Sequence, residues 1–311
     1  MKAGKMLPVL GLIMLVVGLA CGKISRPVTT KLPELKAAST HTAESLPTTE
    51  EPGATENETI PTVIFNPIYH GDFFTVINVN IRKTLPLRAA AGLSQAVIAT
   101  IPPFGVNIQT VGLEQQVDGV SWVPILYEND LGWVEKQYLT QQIGTADELV
   151  ASQALSIIQA IQQIDSDTIA QFVHPDKGLR FTPYAFSSPQ DLVFSSNQVS
   201  SLPADPKKYQ WGHFDGTGAP IELTFIEYFN QFIYDAEFIQ PDIIGFDVRV
   251  GKGNAINNIS EFYPNAVFVE YHFTGFDPDY GGMDWRSLRI VLEEQDGVWY
   301  LVGIIHDQWT I

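Results

Sequence analysis

The chain has 311 residues, of which 45% are hydrophobic and 11% aromatic, so it can bury a substantial core and is not disordered throughout. Its 18 Lys and Arg residues against 35 Asp and Glu residues give a net charge of −17, which excludes the basic footprint needed to bind nucleic acid. The single cysteine excludes a disulfide framework and zinc sites built from Cys-x-x-Cys pairs.

Residues 1–21 have the pattern of a secretory signal peptide, because two lysines precede an apolar run that is too short and too glycine-rich to span a membrane. The lone Cys21 follows this run directly. The stretch resembles the bacterial lipoprotein signal, although Gly18 stands where that family usually has Leu. The resemblance implies lipidation of Cys21 and anchoring by its acyl chains. An ordinary cleaved signal peptide is the alternative.

Residues 22–66 are dominated by Thr, Ser, Pro, Glu and Ala and show no hydrophobic period. This composition predicts a disordered tether. Its expected role is to hold the folded part of the protein away from the bilayer, which places that part on the extracytoplasmic side of the cell membrane.

Residues 67–145 break into short apolar runs separated by turn residues, the pattern of a small all-β barrel. Four pieces occur in the same order in the bacterial Src homology 3 family: Ile81-Arg82 through Leu87-Arg88 with Gly92-Leu93-Ser94, Ala99-Thr100-Ile101-Pro102 with Gly105, Trp122-Val123-Pro124-Ile125, and Leu131-Gly132-Trp133-Val134-Glu135-Lys136-Gln137-Tyr138-Leu139. The stretch resembles that family, apart from Ala89-Ala90-Ala91 and a longer 113–120 loop. The resemblance implies a module that binds cell-wall peptide or glycan.

The aromatic residues of this stretch have two interpretations. Trp122 and Trp133 fit the core of a small barrel, or they line a groove for an extended ligand. A groove requires exposed rings, and the candidate ligand-binding residues are Tyr69, Tyr127, Trp133 and Tyr138.

Residues 146–311 begin with helical patterns. Ile157, Ile158, Ile161 and Ile164 follow a 3.6-residue period, and Asp165 supplies an N-cap for a short helix through Phe172. A capping box at Thr224-Phe225-Ile226-Glu227 predicts a third helix, whose buried face contains Phe225, Tyr228, Phe229 and Phe232.

The C-terminal third is predicted to be strand-rich. Residues 267–274 alternate, and residues 287–293 and 299–306 form a hairpin across Gln295-Asp296-Gly297. We expect the last strand to be either an interior strand or a well-covered edge of the sheet, and Trp309 and Ile311 to be docked. The order of elements resembles the nuclear-transport-factor-2-like cone. The predicted fold is therefore multidomain: an SH3-like barrel, then an α+β domain of helices packed on a curved antiparallel sheet.

Polar residues recur near turns and strand ends of this region, among them Tyr184, His213 and Asp215. The candidates for catalysis are Glu270, His272, His306 and Asp307, since general acid–base chemistry needs a His and a carboxylate that face one cavity. At the rim of the sheet, His306 and Asp307 are expected to bond to neighbours such as Arg180 or Tyr184. No nucleophile elbow, zinc signature or phosphate loop occurs, so no metal or cofactor is predicted.

Two functional hypotheses remain. The first is a membrane-anchored extracytoplasmic lipoprotein that acts as a non-enzymatic binding or scaffold protein, with cell-wall peptidoglycan or another extracytoplasmic protein as its partner. The second is a hydrolase-like extracytoplasmic enzyme with a His/carboxylate site in the C-terminal domain. The second requires the candidate side chains to meet in one pocket.

Overall fold

The computed structural model describes residues 73–310. The predicted signal peptide and tether, together with Cys21, Tyr69 and Ile311, lie outside the described residues, so the predictions made for them stay predictions. Among the described helices, none combines the length and the apolar character needed to cross a membrane.

The described chain begins with eight strands and a short 3-10 turn at Lys136–Tyr138. The strands are β1 (Phe73–Val76), β2 (Leu85–Arg88), β3 (Val97–Ile101), β4 (Ile108–Thr110), β5 (Gln115–Val117), β6 (Val120–Tyr127), β7 (Asp130–Glu135) and β8 (Leu139–Ile143).

The rest of the described chain contains five α-helices, two 3-10 turns and eight more strands. The helices are α1 (Glu148–Gln162), α2 (Ser166–Phe172), α3 (Ser196–Ser201), α4 (Phe225–Phe232) and α5 (Ile259–Phe262). The strands are β9 (Leu179–Thr182), β10 (Val193–Phe194), β11 (Tyr209–His213), β12 (Pro220–Leu223), β13 (Ile243–Phe246), β14 (Ala266–Phe273), β15 (Arg286–Gln295) and β16 (Val298–Gln308).

Fourteen of these strands form one mixed sheet that is not closed into a barrel. Its order is β10-β9-β16-β15-β14-β13-β8-β1-β4-β6-β7-β2-β3, β5 pairs with β6 beside this path, and β11 and β12 form a separate pair. The predicted fold class is therefore wrong. The structure has no closed SH3-like barrel followed by a separate α+β domain, since strands from both regions belong to the same sheet.

Strand β8 joins the strands of the first region to those of the second in this single sheet. It pairs antiparallel with β1 on one side and parallel with β13 on the other. The hydroxyl of Thr140 lies 2.9 Å from the carbonyl oxygen of Pro241 and 2.6 Å from that of Asp242, which ties β8 to the chain just before β13. Val106, from the first region, also packs in the large core that surrounds the helices.

The local helix predictions are confirmed except for Ile164, which lies beyond the end of α1 in the left-handed backbone region and is 38% exposed. Asp165 accepts a hydrogen bond from the backbone N–H of Thr168 and caps α2, and the reciprocal capping box of Thr224 and Glu227 begins α4. All four aromatic residues predicted for the inner face of α4 are buried. Trp211 of β11 lies in the same core and stacks on Tyr228 with ring centroids 4.0 Å apart.

The C-terminal hairpin is also confirmed, with Asp296 and Gly297 in the left-handed backbone region at its turn. Strand β16 lies between β15 and β9, so the last strand is interior, the first of the two positions that the sequence allowed. The docking predicted for Trp309 is wrong, because its side chain is 40% exposed. Thr310 holds this end of the chain instead, through hydrogen bonds with Asn254.

Candidate functional site

The central strands β14, β15 and β16 carry polar side chains on both faces of the sheet. Glu270 lies opposite Arg289, and His272 lies opposite Ser287, which in turn lies opposite Asp307. Because directly opposed residues point to the same face, these five side chains share one face of the sheet. We call them the charged cluster: Glu270, His272, Ser287, Arg289 and Asp307.

Arg289 is the centre of the charged cluster. Its Nε donates to Glu270 Oε2 at 2.9 Å, and its Nη2 donates to Asp307 Oδ2 at 2.8 Å and to Glu270 Oε1 at 3.3 Å. The Arg289 and Glu270 side chains are 0% exposed and that of Asp307 is 4% exposed. Two carboxylates thus share one guanidinium out of contact with solvent, as buried charges require.

Burial and pairing shift the pKa values of the cluster in opposite directions. Burial raises the pKa of Glu270, but attraction to Arg289 and several hydrogen bonds outweigh it, so the net pKa lies below its ordinary value. For Asp307, burial outweighs the attraction of Arg289, and its pKa is raised. Burial lowers the pKa of His272, which favours the neutral imidazole.

The Ser287 hydroxyl lies between the predicted acid–base partners. It donates to Glu270 Oε1 at 2.6 Å and lies 2.8 Å from His272 Nδ1. Glu270 and His272 therefore share a face as predicted, but they are joined only through Ser287.

A loop at residues 247–258, between β13 and α5, covers this cluster, and we call it the covering loop. The backbone N–H groups of Val250 and Gly251 donate to Glu270 Oε2 and Oε1 at 3.1 and 2.8 Å. A Cβ placed on Gly251 would lie 2.5 Å from Ser287 Oγ and 2.6 Å from the Trp285 ring. The loop backbone thus lies directly on the cluster, which leaves no room for a substrate.

The fourth catalytic candidate faces the other way. His306 Nε2 lies 3.2 Å from Asp235 Oδ2, which also accepts a 2.8 Å hydrogen bond from Arg286 Nε. The imidazole packs against Phe232 of α4, on the helix side of the sheet. The structure therefore brings Glu270, His272 and Asp307 together and separates His306 from them. The expectation that His306 and Asp307 lie at the rim beside Arg180 or Tyr184 is wrong, because both are buried on other partners.

The aromatic candidates of the first region that the structure describes, Tyr127, Trp133 and Tyr138, do not form an exposed groove. Tyr127 is 8% exposed and Trp133 is 2% exposed, and Tyr138 is half-buried against the same small core as Tyr127. Burial raises the pKa of Tyr127 to about 12. Trp122 is buried too, which fits the core interpretation of the two indoles.

An open cleft of about 1120 Å³ lies between three segments of the second region. One wall is formed by residues 183–191, another by residues 210–218 of the β11–β12 hairpin, and the third by residues 254–256 of the covering loop. The lining residues are Pro183, Tyr184, Phe186, Ser188, Gln190, Asp191, Gln210, Gly212, His213, Phe214, Asp215, Gly216, Gly218, Asn254, Ala255 and Ile256. We call this space the cleft.

The cleft combines exposed apolar side chains with hydrogen-bonding groups and has no Lys or Arg in its lining. Phe186 is 53% exposed and Ile256 is 74% exposed. Asp191 is engaged internally, since its Oδ2 accepts from Thr182 Oγ1 and from the Ser188 backbone N–H. Asp215 is exposed. The cleft therefore offers aromatic and amide groups and one exposed carboxylate to a ligand.

The sequence identified Tyr184, His213 and Asp215 as polar residues near turns, but it did not bring them together. Their proximity depends on how three distant segments pack. One sequence feature could have pointed to the cleft, namely the glycine-rich β11–β12 hairpin. Its Gly212, Gly216 and Gly218 adopt left-handed backbone angles. Across the described residues, no group of three His, Cys, Asp or Glu side chains is placed to hold a metal ion.

No family model and no curated protein matches the chain. Among solved structures, it is similar to a calcium/calmodulin dependent protein kinase II association domain from Xanthomonas campestris, with 13% identity and a TM-score of 0.23. The match covers 52% of this chain and 88% of that chain. At this TM-score nothing about the fold or the function of this chain follows from the likeness.

Proposed function

We propose that this protein is an extracytoplasmic binding protein, anchored to the membrane through lipidated Cys21, that binds neutral cell-wall glycan in the cleft without catalysing a reaction. The observation that supports this proposal is the open cleft, whose lining carries aromatic and amide groups and no cation. Its volume of about 1120 Å³ slightly exceeds the usual range of small-molecule pockets and gives room for several sugar rings.

The chemistry of the lining favours a polyhydroxylated ligand. The C–H face of a sugar ring packs on an aromatic ring such as Phe186. Sugar hydroxyls donate and accept hydrogen bonds, which suits the mixed donors and acceptors of Gln190, Gln210 and Asn254. The ligand is recognised by shape and hydrogen bonding rather than by charge.

The charges around the cleft disfavour ionic ligands. An anionic polymer would meet no Lys or Arg in the lining and a protein of net charge −17. A polycationic peptide would find one exposed carboxylate, Asp215, because Asp191 is bonded to Thr182 and Ser188. A neutral glycan is not repelled by the negative net charge and does not need carboxylate partners.

The enzymatic alternative has weaker support. Glu270, His272 and Asp307 lie beneath the covering loop, and His306 lies on the opposite face. His213 and Asp215 both line the cleft, but no described hydrogen bond joins their side chains, and the His213 ring nitrogen faces Gln210 at 3.3 Å. The cleft therefore lacks the bonded His–carboxylate pair that acid–base catalysis uses.

Calorimetric titration of the full chain in detergent tests the binding proposal. Tetra-N-acetylchitotetraose, called chitotetraose below, is the neutral glycan probe. Tetralysine is the cationic probe. Phe186→Ala should weaken chitotetraose binding about five- to tenfold, the effect of one aromatic contact. Phe276→Ala is the matched control, since Phe276 is 54% exposed and lies outside the cleft. Absence of chitotetraose binding, preferential binding of tetralysine, or equal effects of the two substitutions would contradict the proposal.

The anchor is tested separately. Metabolic labelling with radioactive palmitate should mark the native chain and not the Cys21→Ser variant, and the native chain should fractionate with membranes. An unlabelled native chain would remove the lipid anchor from the proposal and leave the cleft unaffected.

A further inference from the structure

We propose that Glu270 is the positioning residue of the cleft: it fixes the covering loop, and the covering loop supplies one wall of the cleft. This inference rests on the proposed function for its effect on ligand binding. Its structural part, that Glu270 holds the loop in place, stands without any ligand.

The contacts begin at the base of the loop. The Glu270 carboxylate accepts from the backbone N–H groups of Val250 and Gly251, at 3.1 and 2.8 Å. These bonds lie three and four residues before Asn254, where the cleft wall at residues 254–256 begins. Residues 247–258 contain no helix or strand before α5, so their position depends on side-chain contacts of this kind.

Two glycines bring the loop backbone onto the surface below it. A Cβ on Gly251 would lie 3.0 Å from Glu270 Oε1, and a Cβ on Gly253 would lie 2.9 Å from the ring of Trp285. Trp285 is 5% exposed and cannot easily move aside. The loop therefore has one close-fitting path across the charged cluster, which ends at the cleft.

The C-terminal part of the covering loop is hydrogen-bonded to two other segments, the end of the described chain and the opposite wall of the cleft. Asn254 bonds to Thr310 at the end of the described chain. The Asn258 side chain accepts from the Ser187 N–H and donates to the Ser187 carbonyl, each at 2.8 Å. Ser187 follows Phe186 in the opposite wall, so these two bonds connect the loop to that wall.

Arg289 keeps Glu270 aimed at the loop. It bonds to both carboxylate oxygens of Glu270, and Asp307 holds the guanidinium from the other side. The charged cluster thereby acts as the rigid base of a ligand site from which it is itself excluded.

The test compares Glu270→Gln with Asp307→Asn. Both substitutions remove one buried carboxylate from Arg289, but only Glu270 touches the loop. Each Glu270 oxygen accepts from a loop N–H, so either orientation of the Gln amide places its NH₂ against a loop donor. Asn at 307 can turn its oxygen toward Arg289 and its NH₂ toward the side of Oδ1, which accepts no hydrogen bond.

Hydrogen–deuterium exchange of the covering loop is the first readout. In Glu270→Gln, the amides of 250–256 should exchange at least about fivefold faster than in the native chain, the effect of one lost hydrogen bond. In Asp307→Asn they should exchange as in the native chain. Equal exchange of the loop in both variants would overturn the inference, whatever their melting temperatures.

The affinity for chitotetraose is the second readout. Glu270→Gln should weaken it by a similar factor, and Asp307→Asn should leave it unchanged. A native chain that does not bind chitotetraose defeats the proposed function, and loop exchange then decides the inference alone. Loop exchange that rises in Glu270→Gln while affinity stays native would overturn the link to the cleft.

A second pair of variants covers the case in which Glu270→Gln does not fold. Gly253→Ala displaces the loop without altering any charge, because its Cβ would meet the Trp285 ring at 2.9 Å. Gly112→Ala is the matched control, since its Cβ would meet Pro124 at 3.0 Å, far from the cleft in the β6 region. Faster loop exchange and weaker chitotetraose binding are expected for Gly253→Ala alone. Native behaviour of Gly253→Ala in both measurements would overturn the inference.

Discussion

The charged cluster and the cleft both adjoin the covering loop, but their polar side chains differ in exposure to solvent. In the cluster, Glu270 and Asp307 are paired with Arg289 and shielded from solvent. In the cleft, Asp215 and His213 are exposed, and the lining contains no cation. The cluster has the richer collection of catalytic residue types, yet of these two regions the cleft is the one that is open to solvent.

This difference shows that the accessibility of side chains to solvent is a better guide to a ligand-binding site than residue type is. Buried charges are neutralised within the protein, and breaking such a pair is costly. Open polar groups contribute little to stability and are free to contact a ligand. We accordingly propose that the cluster contributes stability and positioning, and that the cleft is the binding region.

The largest expected effect is a loss of stability when the charged cluster is broken. Arg289→Met removes the guanidinium and leaves Glu270 and Asp307 as buried carboxylates without a cation. The free energy of unfolding should fall by about 3–5 kcal/mol, measured by urea denaturation.

Arg286→Met provides the control on the opposite face. The Arg286 side chain is 28% exposed and bonds to Asp235, so its loss should cost less than about 1 kcal/mol. Equal losses for the two arginines would show that the cluster has no special role in stability.

A smaller effect concerns pH. Burial holds the pKa of His272 below the ordinary value of 6.5, so the unfolded chain binds more protons than the folded chain between the two pKa values. The stability that His272 contributes is therefore complete above about pH 6.5 and is lost as the pH falls through the folded-state pKa. His272→Gln should flatten the fall in unfolding free energy below pH 6.5. An unchanged pH profile would place His272 outside the closed cluster.

Local features of the fold were predictable from the sequence, because each depends on neighbours in the chain. Asp165 and Thr224 cap helices whose first turns they adjoin, and Asp296-Gly297 forms the hairpin turn by its own backbone preference. The shared face of Glu270 and His272 follows from strand alternation alone.

The features that were missed depend on contacts between distant segments. The parallel pairing of β8 with β13 uses backbone groups that carry no sequence signal, so the single sheet was not predicted. The separation of His306 from Glu270 depends on the register between β15 and β16. The cleft needs three segments to converge, and only the fold brings them together.

The most direct test of the central claim, that the cleft is open to ligand and the cluster is closed, is a chemical-shift map. Chitotetraose would be added to the isotopically labelled chain in detergent while its backbone amide signals are followed. The account predicts concentration-dependent shifts in residues 183–191, 210–218 and 254–256, with the amides of Glu270, Ser287 and Arg289 unchanged or nearly so. Shifts concentrated at Glu270, Ser287 and Arg289, with residues 210–218 unaffected, would contradict it.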